Sequence, residues 1–441
     1  MAAVTALVGL LTGNFLLAGR GRPLQDRTAP PAATSSTARV AQLQDELRAR
    51  PGEPRLLAEL GIAYLTRARE TADPTWYAKA DRALRQSQAA RPGQARTMIA
   101  LGLLDLARHD FRAALAWGER AHRASPDAAE PLGVLVDAQV ELGRYDDALA
   151  SVQRMVDLRP DLPSLARVSY LRELHGDAAG ALEAMRQAVT AGAGAPGDVA
   201  YLRTIVGDLQ LGAGRLGDAE AAYREALAGQ PGYGAAEVGV ARVAAARGHL
   251  AAAARQLDAA AQRLPLPGTV GLLGDVQAAL GHHAEAARQY RLVRAIEQLN
   301  RANGVAVDLE LARFEADHAR QPGGDPARAV AMARRARVAR PTVYADDALA
   351  WALRQAGRAR EALPHARAAL RLGTRDALLW YHLAAVEADL GMTAPARQHL
   401  ATALAINPYV TGAAGTIGER PAALALAKRL GVRVPAPGAV G

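Results

Sequence analysis

Ten alanines recur along the chain at a nearly constant spacing. The steps between them are 34, 34, 33, 38, 34, 33, 43, 33 and 34 residues. Around one of them, Gly143 marks a turn, Ala148 and Met155 share one helical face, and Pro160 ends the helix. A period of this length is typical of a helix–turn–helix unit, so the spacing predicts a helical repeat protein. The ten residues are Ala80, Ala114, Ala148, Ala181, Ala219, Ala253, Ala286, Ala329, Ala362 and Ala396.

Other residues recur together with these alanines. An apolar residue and a small residue lie side by side upstream, as in Leu101-Gly102 and Leu273-Gly274. A second small residue often follows seven positions after the alanine, as in Ala121, and a proline five positions later, as in Pro126. Over roughly residues 39–410 this pattern resembles the tetratricopeptide repeat. The resemblance implies an all-α fold, a right-handed α-solenoid of ten tandem antiparallel helix pairs, with about twenty-two helices once the flanking caps are included.

The net charge of +9 raises the question of a nucleic-acid partner. Only Lys79 and Lys428 are lysines, and the arginines are spread over every repeat, which does not resemble a phosphate-binding patch. The densest run is Arg328 to Arg340, and it is typical of a solvated helix face. A nucleic acid is therefore an unlikely partner by sequence, and an arginine-mediated binder of nucleic acid or anionic polymer stays open as the alternative function.

The two ends of the chain differ from the repeats. Residues 2–18 are apolar apart from Thr5, Thr12 and Asn14, and arginines follow them. We therefore expect residues 1–19 to act as an anchor or export signal, so that the protein is membrane-associated or exported; an unanchored end in a cytoplasmic protein is the alternative. Residues 20–38 read as a Pro/Ala/Ser/Thr linker. Residues 39–410 form the solenoid and 411–441 a C-terminal cap and flexible tail.

The sequence patterns that could indicate an enzyme are better explained by the repeat. The glycines Gly212, Gly214 and Gly217 match a dinucleotide fingerprint, but Gly214 falls at the turn position that Gly143 occupies in its own repeat. The chain has no cysteine, and the adjacent pair His282-His283 lies at another such turn. We therefore predict a non-enzymatic protein without a cofactor, a metal or a small-molecule substrate.

The family resemblance also implies where a partner would bind. The first helix of each pair lines the concave face, with groove positions two and five residues before and after the Leu of the Leu-Gly pair. Aromatic residues make up 4% of the chain, so their presence at these positions is informative. We predict a protein or peptide partner, with basic residues to match the aspartates. The predicted partner-binding residues are Asp137, Tyr170, Tyr201, Asp208, Arg242, Asp275, Tyr344, Asp347, Trp351, Arg354 and Tyr381.

Overall fold

The computed structural model describes residues 35–192, 196–321, 323–410 and 419–435. Within these ranges it contains 22 helices, and no strand. The helices are α1 Ser36–Ala49, α2 Pro54–Thr71, α3 Thr75–Ala90, α4 Ala95–Ala107, α5 Phe111–Ala124, α6 Glu130–Glu141, α7 Tyr145–Leu158, α8 Leu162–Leu174, α9 Ala178–Ala191, α10 Pro196–Gly212, α11 Leu216–Gly229, α12 Gly234–Ala246, α13 Leu250–Arg263, α14 Pro267–Ala279, α15 His283–Ala302, α16 Asp308–Asp317, α17 Pro326–Ala339, α18 Val343–Gln355, α19 Ala359–Ala368, α20 Ala377–Asp389, α21 Thr393–Ile406 and α22 Glu419–Leu430.

The predicted fold class is confirmed. Helices α2 to α21 form ten consecutive pairs, and α1 and α22 flank them. The described chain divides into two compact units. We call residues 35–164 and 299–306 the N-terminal unit, and residues 165–298 and 307–435, apart from the undescribed residues, the C-terminal unit.

The two helices of a pair are buried to different extents. In the third pair, α6 is buried over nearly its whole circumference, from Pro131 to Glu141. Its partner α7 buries one stripe, formed by Tyr145, Ala148, Val152 and Met155. First helices are buried on nearly all sides because they pack against their own partner and against the neighbouring pairs, whereas second helices are amphipathic.

The turn inside each pair needs a residue with positive φ. Gly143 fills this position in the third pair with a φ of 68°, and Gly214 fills it in the fifth with 74°. In the second pair the same position is occupied by His109, with a φ of 60°, a conformation that is uncommon for a residue with a side chain. His109 Nδ1 lies 2.7 Å from the carbonyl oxygen of Ala306, which belongs to the same unit. A helix, not a strand, precedes the turn at Gly214. Gly212, Gly214 and Gly217 therefore do not form a dinucleotide-binding loop.

Small residues bring the helices of a pair close together. All ten marker alanines are buried. A Cβ atom added to Gly207 or to Gly239 would lie 2.4 Å from Cε1 of Tyr223, so this ring is held between two glycines. The close approach of the helices therefore depends on the absence of larger side chains at these positions.

We expect Ala219→Leu to lower the free energy of unfolding by roughly 1–3 kcal/mol, because Ala219 is completely buried and three additional carbon atoms overpack the seam. Chemical denaturation followed by circular dichroism would measure the loss. Ala259→Leu, on the exposed face of α13, is the matched control and should change stability little. Equal stability of the Ala219→Leu variant and the parent would show that the helices are not packed as described.

The C-terminal unit is also joined by bonds between pairs far apart in sequence. Thr374 Oγ1 donates to the carbonyl oxygen of Leu174 at 2.5 Å. Asn407 Nδ2 donates to the carbonyl oxygen of Leu211 at 3.0 Å, and Arg420 Nη1 to that of Ala246 at 3.2 Å. Turns at the ends of α8, α10 and α12 are thereby fixed to the last pairs and to α22.

The prediction that the protein is membrane-associated or exported is corrected. It rested on residues 2–18, which lie outside the described residues, as does nearly all of the predicted linker at 20–38. Within the part of the chain that the structure describes, no helix combines the length and the apolar character needed to cross a membrane.

Candidate binding site

The predicted partner-binding residues are mostly buried side chains. Asp137 lies in the N-terminal unit, and the other ten lie in the C-terminal unit. Nine of the eleven are buried, whereas Arg242 and Arg354 are half-buried. The nine are Asp137, Tyr170, Tyr201, Asp208, Asp275, Tyr344, Asp347, Trp351 and Tyr381. Their role in binding a partner stays a prediction. Because nine of them are buried, they do not form a row of exposed side chains.

Two of these residues, Asp208 and Asp275, form hydrogen bonds that join different helices. Asp208 Oδ1 accepts a hydrogen bond from Tyr223 Oη at 2.7 Å and from Arg242 Nη1 at 2.8 Å. The next pair but one repeats this arrangement, since Asp275 Oδ1 accepts from Tyr290 Oη at 3.0 Å and lies 2.9 Å from His318 Nε2. Each aspartate thus joins a tyrosine fifteen residues later to a residue on a later first helix. These hydrogen bonds between charged and polar side chains hold the helices together before any partner binds.

A third network surrounds His382 on α20. Its Nδ1 lies 2.7 Å from Asp347 Oδ1, and its Nε2 lies 3.3 Å from Glu419 Oε1. The ring of Trp351 stacks on it with centroids 3.9 Å apart and an interplanar angle of 13°. Burial alone would lower the pKa of His382, but the two carboxylates raise it to about 9. His382 is therefore an imidazolium at neutral pH, held between Asp347 and Glu419.

A cavity of about 480 Å³ opens beside these networks in the C-terminal unit. Its size is within the range of small-ligand pockets. Four of the predicted residues line it: Asp275, Trp351, Arg354 and Tyr381. The other titratable residues of the wall are Asp317, His318, Arg320, Asp389, Glu419 and Arg429. Helix α22 closes one side through Ala422, Ala425 and Leu426.

Four residues that line the cavity each have one buried polar atom without a hydrogen-bond partner among the described residues. The atoms are the indole Nε1 of Trp351, Oδ1 of Asp317, Oε2 of Glu419 and Nε of Arg354, which nevertheless lies 2.9 Å from Asp389 Oδ2 as an ion pair. Burial and the negative charge of Glu419 raise the pKa of Asp317 to about 7, against the opposing effect of Arg313. Buried polar groups are normally satisfied, so these atoms are exceptions within the packed part of the unit, and none of them is exposed to a ligand in the cavity.

The sequence did not indicate His318, His382, Asp317 or Glu419 as parts of the site. His382 follows Asp347 by 35 residues, close to the repeat length, and this spacing is the signal that could have identified the pair. Glu419 comes to the site only because α22 packs at the end of the last pair, and no repeat pattern predicts that contact.

The arginine run on α17 is engaged within the chain. Arg340 Nη1 lies 2.7 Å from Glu310 Oε1, and Arg337 binds Asp346. Arg328, Arg334 and Arg335 lie 3.5–3.7 Å from the carboxylates of Glu315, Glu361 and Asp308. These arginines therefore do not form an unscreened cationic surface, which weakens the alternative of an anionic polymer.

No evidence for a metal site emerges from the described residues, where no three His, Asp or Glu side chains are grouped to hold an ion. The site does contain titratable side chains. In the networks around Asp208, Asp275 and His382, these side chains connect one helix to another. The arrangement supports recognition of a polar ligand by hydrogen bonds and charge.

Comparison with known proteins identifies the type of repeat in one part of the chain. A family model described as Tetratricopeptide repeat matches residues 105–172, from α4 to α8. No curated protein matches the chain in sequence. A thermophilic TPR protein of Thermus thermophilus is 21% identical, with 43% of this chain and 98% of that chain covered and a TM-score of 0.39. A tetratricopeptide repeat protein from Parabacteroides merdae is 15% identical, with 54% and 97% covered and a TM-score of 0.40.

The human IFIT1 dimer with PPP-AAAA is 13% identical to this chain, with 82% of this chain and 86% of that chain covered and a TM-score of 0.46. Likeness at this level transfers no ligand from one protein to the other.

Proposed function

We propose that this chain, in which residues 105–172 match the tetratricopeptide repeat, is a non-enzymatic scaffold that binds a protein or peptide segment in the cavity of its C-terminal unit. Proteins of this repeat family commonly serve as protein-interaction scaffolds. The observation that carries the proposal is the open cavity of about 480 Å³, whose wall combines Trp351, Tyr381 and Arg354 with the carboxyl groups of Asp389 and Glu419. A peptide supplies both donors and acceptors for such a wall.

The surrounding networks favour a preformed site. Trp351 is fixed by stacking on His382, and Asp275 is fixed by Tyr290 and His318. Side chains that are already ordered lose little conformational freedom when a ligand binds, which favours affinity. Trp, Tyr and Arg are also the residue types that most often carry binding energy, and Trp351, Tyr381 and Arg354 all line the cavity.

Selection from a random peptide library on the full-length protein tests the proposal. We expect a set of bound peptides whose capture is lost in Ala425→Trp, because Ala425 lines the cavity with an exposed side chain and an indole there fills the entrance. Ala259→Trp places the same indole on the exposed face of α13, away from the cavity, and should capture the same peptides as the parent.

Two results would contradict the proposal. One is a failure of the parent protein to retain any peptide. The other is equal capture by Ala425→Trp and the parent. A random oligonucleotide serves as the probe for the alternative function: binding that survives Ala425→Trp and falls steeply between low and moderate salt would favour arginine-mediated binding of an anionic polymer.

A further inference from the structure

Two carboxylates of the cavity wall are paired with cationic side chains of the same wall. Asp389 Oδ2 lies 2.9 Å from Arg354 Nε as an ion pair. Asp275 Oδ1 lies 2.9 Å from His318 Nε2. Burial opposes protonation of His318, but the hydrogen bond with Asp275 and the charge of Asp275 raise the pKa of His318 above its usual value. These two carboxylates therefore leave little negative charge for a ligand.

The other two carboxyl groups of the wall, Asp317 and Glu419, are compensated from inside the unit. The buried guanidinium group of Arg313 interacts favourably with the negative charges of both. Glu419 Oε1 also lies 3.3 Å from Nε2 of His382, which is an imidazolium at neutral pH. All four carboxyl groups that line the cavity thus have a cation of this chain as a charge partner.

Two arginines of the wall have no such counterpart. Arg320 and Arg429 line the cavity with exposed side chains, and neither forms an ion pair with a carboxylate in the described ranges. Arg320 donates hydrogen bonds of 3.2 Å to the backbone carbonyl oxygens of Arg354 and Gln355. These bonds orient its guanidinium group, but carbonyl oxygens are uncharged and do not cancel its charge. The charge left at the cavity is therefore positive.

Arg429 lies on the face of α22 that borders the cavity. Ala422, Ala425, Leu426 and Arg429 all line the cavity, and their spacing of i, i+3, i+4 and i+7 places them on one side of the helix. Ala422 and Ala425 are exposed and small. A ligand side chain that approaches Arg429 along this face therefore meets no bulky neighbour on α22.

We propose that the cavity selects an acidic peptide segment, whose aspartate or glutamate side chains bind Arg320 and Arg429, one carboxylate at each arginine. The inference rests on the proposed function and names the charge of the segment that the cavity accepts. A guanidinium group presents parallel donors that match the two oxygens of a carboxylate. Arg320 is already oriented by its backbone bonds, so it loses little conformational freedom when a carboxylate binds.

The number of available arginines favours a peptide over a polyanion. Binding of a nucleic acid depends on many simultaneous phosphate contacts along its backbone. The cavity offers two uncompensated arginines, and the arginine run on α17 is paired with carboxylates. Tyr381 and Leu426 in the same wall suit the apolar side chains that a peptide can carry between its acidic residues.

Three blocked peptides test this inference on the full-length protein by saturation-transfer NMR: acetyl-Glu-Leu-Glu amide, acetyl-Gln-Leu-Gln amide and acetyl-Lys-Leu-Lys amide. Blocking the ends removes the terminal charges, so only the side chains differ. We expect saturable binding of the glutamate peptide, about tenfold weaker binding of the glutamine peptide and the weakest binding of the lysine peptide. No saturable binding of the glutamate peptide, or binding of either other peptide at least as tight, would overturn the inference.

Arg429→Gln is the matched variant, because it removes the charge of an exposed side chain and keeps a polar one. It should melt like the parent and bind the glutamate peptide about threefold more weakly, and adding Arg320→Gln should bring the loss to about tenfold. Arg255→Gln changes an exposed arginine of α13 outside the cavity and should bind like the parent. Equal binding of the glutamate peptide by Arg429→Gln and the parent would contradict the assignment.

The outcomes separate this inference from the proposed function. If library peptides bind and are lost in Ala425→Trp, yet show no enrichment of aspartate and glutamate, the scaffold function stands and the acidic preference is wrong. If no library peptide binds, both fail. Enrichment of acidic residues that disappears in Arg429→Gln supports both. A single-stranded oligonucleotide that displaces the glutamate peptide and binds more tightly would assign the two arginines to an anionic polymer instead.

Discussion

Replacing His382 with leucine is expected to lower the free energy of unfolding by roughly 3–5 kcal/mol, because it leaves two buried carboxylates without their shared cation. His382 is 1% exposed and bridges Asp347 and Glu419. A rise of its pKa from 6.5 to about 9 alone corresponds to about 3 kcal/mol, which agrees with this range. Denaturation in urea, followed by circular dichroism, measures the loss.

The pH dependence of this effect has a definite sign. The folded-state pKa of His382 lies above its unfolded value, so its contribution to stability is fully present below about pH 6.5 and is lost as the pH rises through about 9. The stability difference between the parent and His382→Leu should therefore shrink between pH 7 and pH 10. His283→Leu, at an exposed position at the start of α15, is the control and should change stability by less than about 0.5 kcal/mol. A difference that stays constant up to pH 10 would show that His382 is neutral in the folded protein.

Tyr223→Ala is expected to cost roughly 3–5 kcal/mol, as other aromatic truncations in protein cores do. Tyr223 is completely buried, and its ring fills the space between Gly207 and Gly239. No side chain at either glycine can move in to replace it. Urea denaturation of the full-length protein would give the value.

A conservative variant separates the contribution of the ring from that of the hydroxyl group. Tyr223→Phe keeps the ring and removes the hydroxyl group, so it should cost only about 1 kcal/mol, since Asp208 keeps its bond to Arg242. A Tyr223→Ala variant as stable as Tyr223→Phe would mean that the ring is not packed between the glycines.

A separate variant, Gly217→Ala, lies at an exposed helical position with open space around it. It should stabilise the protein by about 0.5–1 kcal/mol.

The repeat length predicted the fold because the packing of each pair is local. Ala148 and Met155 lie on one buried stripe of α7 as their spacing requires, and Gly143 has the positive φ that a turn residue needs. These features depend on residues a few positions apart. Helical periodicity and turn chemistry therefore suffice to predict them.

The site was predicted only in part, because its bonds join different repeats. The groove register named Asp275, Trp351, Arg354 and Tyr381, and these four residues line one cavity, while their role in binding stays a prediction. It could not show that Asp347 binds His382 or that Asp208 binds Arg242, since these contacts depend on how far successive helices rotate. The contribution of Glu419 depends on the docking of α22, which lies outside the repeat pattern.

The bonds between distant turns have a consequence for how the C-terminal unit folds. Thr374 and Leu174 are 200 residues apart, Asn407 and Leu211 are 196 apart, and Arg420 and Ala246 are 174 apart. Most repeat arrays contain only contacts between neighbours, so they can form step by step and open from an end. Here the last repeats can be completed only after a long segment of chain has been closed, which raises the contact order and slows folding. For the same reason the terminal pair and α22 are not free to fray separately, and hydrogen exchange should report similar protection at α20 and at α10.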